Sequence, residues 1–134
     1  KTELEGLETD YFAFADLDSV FDFYTPVIIA NNTFLAEEPE TARAFLDAVS
    51  RGYEFAIEHP REAGEILCKA APELDPELVK ASQEYLADKY QADAPKWGYI
   101  DQKRWDAYYA WLNEKGLTET PIEAGTGFSN EYLP

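Results

Sequence analysis

The chain has 134 residues, which suits one compact domain or one lobe of a larger protein. A formal charge of −16 without any cluster of Lys and Arg argues against nucleic acid or an anionic membrane as partner. A single cysteine, Cys68, rules out an intrachain disulfide and a zinc site of the CxxC type, and a hydrophobic content of 46% argues against disorder.

Tyr11-Phe12-Ala13-Phe14-Ala15, bounded by Asp10 and Asp16, reads as a short strand. Val20 to Ala30 (VFDFYTPVIIA) is rich in β-branched and aromatic residues and predicts a strand near 23–30. Pro26 cannot donate to a ladder, so it belongs at an edge or at a crossing between sheets. Val27 to Ala30 is continuously apolar, as in a strand covered on both faces. Asn31-Asn32 marks a turn.

From there the pattern is helical. Pro39 opens an amphipathic helix over 39–58, with Leu46, Val49, Tyr53, Ala56 and Ile57 on one face. Pro60 starts a second over 61–71, with Ala63, Ile66, Leu67 and Ala70 as its apolar stripe. Asp75-Pro76-Glu77 is an N-cap, a first-turn proline and an acid suited to the helix dipole, and starts a third over 76–90. Pro95 and Gly98 make a loop around Trp97, which either lies exposed as a lid or packs back on its own domain. Asp101 caps a fourth helix over 101–115, with Trp105, Tyr108, Tyr109 and Leu112 at helical spacing. Gly116 stands where a left-handed residue ends it. Residues 117 to 134 form an irregular tail that packs on something. Leu46, Val49, Tyr53, Ile66, Leu78, Tyr85, Trp105, Tyr108 and Leu112 are the expected core.

One or two strands and about four helices do not close a sheet. The apolar run Val27 to Ala30 needs neighbours that this chain does not supply. The chain also contains no methionine and begins at Lys1, so a processed protein or a fragment is expected. No apolar run approaches the ~18 residues of a membrane helix.

FYTPVIIANNTFLAEEPETARAFLDAVSRGYEFAIEHPREAGEILCKAAPELD, the later KYQADAPKWGYIDQKRWDAYYAWLNEKGL and the closing FSNEYLP resemble the C-terminal portion of the NMT1-like family. These are ABC-importer solute-binding proteins for the pyrimidine precursor of thiamine, and type II periplasmic binding proteins of α/β fold. The resemblance covers roughly residues 20 to 134. It implies that residues 1–21 end the second lobe, 22–30 form a hinge strand crossing between lobes, and 31–134 complete the first lobe. It implies an extracytoplasmic location, in the periplasm or lipid-anchored at the outer face of the membrane. The partners it implies are a small-molecule solute, an ABC permease and the missing N-terminal part of the same protein. No enzymatic activity, cofactor or metal is expected. Two alternatives accompany this reading: a pyrimidine synthase of thiamine biosynthesis with the same fold, or a relative binding nitrate, sulfonate or taurine.

The best ligand-binding candidates lie where the hinge strand would face the cleft between lobes. Tyr24 offers a ring to stack on a flat heterocycle, and Asp22 an acceptor for a ring amino group. Tyr11 is a further candidate for stacking. Against this stands the plainer reading of Tyr24 and Tyr11 as packing residues and Asp22 as a solvated acid. The acids Glu37, Glu38, Glu119 and Glu123 carry no metal-ligand spacing and belong to solvated faces.

Overall fold

A computed structural model describes residue 2 and residues 5–134. Its elements run in the order α1 (Phe14–Leu17), a 3₁₀ turn (Ser19–Phe21), α2 (Asn32–Glu37), α3 (Pro39–Glu58), α4 (Pro60–Ala70), α5 (Pro76–Leu86), a second 3₁₀ turn (Ala87–Lys89) and α6 (Gln102–Glu114). The four long helices follow the start signals in the sequence. The Asp75 carboxylate accepts from the Glu77 and Leu78 amides at 3.0 and 3.4 Å, and the Asp101 carboxylate from the Arg104 amide at 2.9 Å. Gly116 takes the left-handed conformation, with φ +64°, after α6.

Four expectations need correction. The described residues contain no β-strand. Residues 22–30 are irregular because a strand is defined by its ladder, and no partner segment lies alongside to form one. Tyr11 to Ala15 is not a strand either: Phe14 begins the short helix α1. Asn31-Asn32 is more than a turn, since the Asn31 side chain accepts from the Thr33 amide at 2.7 Å and caps α2. The third predicted helix also stops early as an α-helix, continuing from Ala87 as a 3₁₀ turn.

The chain divides into two units. The first comprises residues 1–9, 40–99 and 133–134. Here α4 packs on α5, with Gly64 buried against Val79 and Gln83. Tyr53 of α3 stacks on Trp97, ring centroids 4.4 Å apart, and meets Tyr90 edge-on at 5.0 Å. Trp97 therefore packs back on its own unit, half-buried, rather than standing as a lid.

The second unit comprises residues 10–39 and 100–132. Helix α6 is its spine. Trp105 donates from Nε1 to the Thr126 carbonyl at 2.9 Å. The Asn113 side chain brackets Ile122, bonding both its amide and its carbonyl. Asp106 accepts from the Gly125 amide at 2.7 Å. The irregular tail is thus fastened to α6 by polar side chains on the helix, which supply hydrogen-bond partners that loop backbone lacks.

The expected core is the weakest match. None of its nine residues is fully buried; Ile66 is 52% and Tyr85 63% exposed, and the other seven are half-buried. Buried apolar side chains are confined to Ala42 and Ala87 among the described residues. The chain exposes 10308 Å². A folded monomer of its mass exposes about 7,100 Å², and two separate bodies of half that mass about 8,600 Å². Helical periodicity correctly marks the apolar faces, but these faces find too little cover within the chain.

Candidate functional site

Residues 22 to 25 lie along the N-terminal part of α6. Their geometry follows from three successive side chains, each held by a different device. Arg104 Nε donates to the Asp22 carbonyl at 2.8 Å, and Arg104 Nη2 bonds the Asp22 carboxylate. Phe23 stacks on Tyr108 with centroids 4.3 Å apart and planes 20° from parallel. The Tyr24 hydroxyl accepts from the Asp101 amide at 2.9 Å, while the Arg104 guanidinium lies 4.5 Å from the centre of the Tyr24 ring. Asp101 serves twice here, capping α6 with its side chain and gripping Tyr24 with its backbone.

Together with Thr25, Trp105, Tyr108 and Tyr109, residues Phe23 and Tyr24 line a shallow cleft of about 180 Å³. Its walls are almost wholly aromatic, with the Trp105 and Tyr109 rings 4.9 Å apart. Such walls suit a flat apolar ring, through offset stacking and edge contacts. The volume falls below the few hundred Å³ of a complete small-molecule site, so the cleft offers one wall of such a site rather than an enclosure.

Of the three residues singled out in the sequence, the structure brings two together. Tyr24 is half-buried in the cleft wall, and Asp22 adjoins it through Arg104. Tyr11 is 90% exposed and lies outside the cleft lining. Arg104 was not anticipated. Its signal is local: Gln102-Lys103-Arg104 puts two cations in the first turn of α6, where the helix dipole disfavours them. An Arg in that position marks a tertiary partner that outweighs the local cost. Trp105 and Tyr108, expected as core, and Tyr109 beside them are cleft wall as well as packing residues.

The remaining chemistry-bearing groups do not converge on the cleft. His59 precedes α4 and lies 3.9 Å from Glu58. Cys68 is half-buried on α4. Both belong to the first unit. Among the described residues no cluster of His, Cys, Asp and Glu is disposed to hold a metal ion, and no helix is long and apolar enough to cross a membrane.

Comparison with known proteins adds three relatives. The chain is 28% identical over 130 residues to a formylaminopyrimidine-binding protein of Halalkalibacterium halodurans, covering 94% of this chain and 39% of that protein. It is 25% identical over 140 residues to the riboflavin-binding protein RibY of Chloroflexus aurantiacus, covering 97% of this chain and 38% of that protein. It is 28% identical over 116 residues to a 4-amino-5-hydroxymethyl-2-methylpyrimidine phosphate synthase of Candida albicans, covering 83% of this chain and 31% of that protein. The chain thus spans under two-fifths of the length of each of these relatives. A family model described as NMT1/THI5 like matches residues 1–63, so the resemblance drawn from the sequence holds, and along most of its length the chain is similar to proteins named for binding formylaminopyrimidine and riboflavin.

Proposed function

We propose that this chain is the C-terminal part of an extracytoplasmic solute-binding protein that captures a flat nitrogen heterocycle for an ABC importer. The observation that carries this reading is the aromatic cleft beside Tyr24 and Asp22, in a chain whose relatives are named for binding formylaminopyrimidine and riboflavin. Those ligands share flat conjugated rings with donor and acceptor edges. An aromatic wall provides stacking area for the rings, and a carboxylate beside it meets an amino edge.

In this reading residues 22–30 form the hinge strand, 1–21 end one lobe and 31–134 complete the other. The uncovered apolar surface supports it, since Val27, Ile28 and Ile29 all stand exposed. The upstream part of the protein supplies their cover, the second wall of the ligand site and the surface that meets the permease.

The synthase relative favours a second reading, in which the same heterocycle-binding fold serves pyrimidine synthesis. Calorimetry on the full-length protein separates the two. Reversible binding of formylaminopyrimidine or riboflavin, without turnover, supports transport. Formation of a pyrimidine phosphate supports synthesis, and failure to bind either heterocycle sinks the capture reading.

A further inference from the structure

We propose that Arg104 is the positioning residue of the heterocycle site, holding Tyr24 and Asp22 in their ligand-ready arrangement before ligand arrives. The inference rests on the capture reading above and identifies how its two candidate contacts are organised.

The geometry is a fork with three engagements. Nε fixes the backbone at Asp22 through its carbonyl, Nη2 fixes the Asp22 carboxylate through Oδ1, and the guanidinium lies against the Tyr24 ring. Only a guanidinium does all three at once. Its donors are set in a rigid plane that reaches two acceptors together, and its delocalised cation lies favourably over an aromatic face. A lysine ammonium keeps the charge but is a point donor on a flexible stem.

The engagement leaves both candidate groups usable. A carboxylate has two oxygens, and the Asp22 side chain is 54% exposed although Oδ1 is held. Its Oδ2 remains an acceptor for an exocyclic amine. Tyr24 gives a face to Arg104 and its hydroxyl to the Asp101 amide, yet it still lines the cleft with Phe23, Trp105 and Tyr108. Arg104 itself springs from α6, where the cap formed by Asp101 fixes the first turn. The fork is therefore anchored to a rigid element, and the site loses little side-chain freedom on binding.

The test is calorimetric titration of the full-length protein with formylaminopyrimidine and with riboflavin, for wild type, Arg104→Ala, Arg104→Lys, Tyr24→Ala and the Arg104→Ala/Tyr24→Ala double variant. Thermal unfolding of each is measured alongside. Arg104→Ala is expected to weaken binding roughly tenfold, the effect of freeing one or two side chains. The double variant should lose less than the sum of the two single losses, since part of the Arg104 effect runs through Tyr24 and only the part through Asp22 remains once Tyr24 is gone. Arg104→Lys should recover thermal stability more than it recovers affinity. A merely structural role predicts that stability and affinity recover together and that the two single effects add; either result overturns the proposal. If Tyr24→Ala weakens binding and Arg104→Ala does not, Arg104 has no positioning role while the capture reading stands. If wild type binds neither compound, the capture reading falls and takes this role with it.

Discussion

The Asp101 amide donates to the Tyr24 hydroxyl at 2.9 Å across 77 residues of sequence. That bond ties the segment after the 3₁₀ turn to the cap of α6, and it separates two functions of one side chain. Tyr24→Phe removes the hydroxyl and leaves the ring. It should cost about 0.5–1 kcal/mol of stability, since a solvent-accessible amide regains water, and should change heterocycle affinity less than threefold. Tyr24→Ala removes the ring as well and should weaken binding by about tenfold, or about 1.4 kcal/mol. Denaturant unfolding and calorimetry on the full-length protein measure the two effects. Equal affinity losses in both variants would mean the hydroxyl, not the ring, meets the ligand.

Asp75 gives a second measurable anchor. Its carboxylate accepts from two otherwise unpaired amides at the start of α5. Asp75→Ala should destabilise the protein by about 1 kcal/mol, whereas Asp75→Asn should cost only a few tenths. Urea unfolding followed by circular dichroism reports both. A loss from Asp75→Ala under 0.3 kcal/mol would show that Pro76 alone sets the helix start.

These two anchors illustrate what was legible in the sequence. Pro39, Pro60, Asp75-Pro76 and Asp101 act within one helical turn, so the starts of the four long helices follow from local chemistry. Helix α2, with six residues, is too short for its periodicity to register. Residues 22–30 have strand composition, but a ladder is made between segments and composition carries no partner. Burial failed for the same reason: Ile66 and Tyr85 have core spacing, yet spacing says which face is apolar and not what covers it. Tyr24 and Asp22 are singled out in the sequence by residue type and place alone. Arg104 lies 82 residues from Asp22, and only its unfavourable position at a helix start hinted at a partner.

Trp105 tests the strength of the α6–tail connection. Its indole packs on Tyr109 and Phe128 and bonds the Thr126 carbonyl, but it is half-buried. A fully buried Trp truncated to Ala costs about 3–5 kcal/mol, so Trp105→Ala should cost about 2–3 kcal/mol. Amide exchange should accelerate around residues 122–128, where the tail loses its hydrogen bond and its ring contacts. Unchanged exchange there would place the tail's stability in Asn113 and Asp106 instead.

Gly64 sits inside α4, buried against α5, and looks like a close-packing glycine. A Cβ there would meet Val79 Cγ1 at 3.5 Å and Gln83 Cγ at 3.7 Å, both ordinary van der Waals distances. The space therefore admits a methyl group, and removing a helix-interior glycine gains about 0.5–1 kcal/mol. Gly64→Ala should be stabilising by up to that amount, while Gly64→Leu should overpack the contact and cost about 1–3 kcal/mol. Thermal melts of both variants decide it; a destabilising Ala would mean the α4–α5 approach tolerates no side chain at all.

Ile29 gives the sharpest test of whether another part of the protein covers this chain. It is 88% exposed, in a continuously apolar run with Val27 and Ile28. In the 134-residue chain alone, Ile29→Lys should therefore change stability by less than about 0.5 kcal/mol, as for ordinary surface substitutions. It should also raise solubility, because a lysine blunts an exposed apolar segment. In the full-length protein the expectation reverses. If residues 27–30 become a strand covered on both faces, the same substitution removes about 1.5–3 kcal/mol of apolar burial and adds the cost of burying an ammonium. Urea unfolding of the two lengths, each as wild type and Ile29→Lys, measures the difference directly. A substitution equally harmless in both would mean that Ile29 faces solvent in the whole protein, and that the hinge strand lies elsewhere.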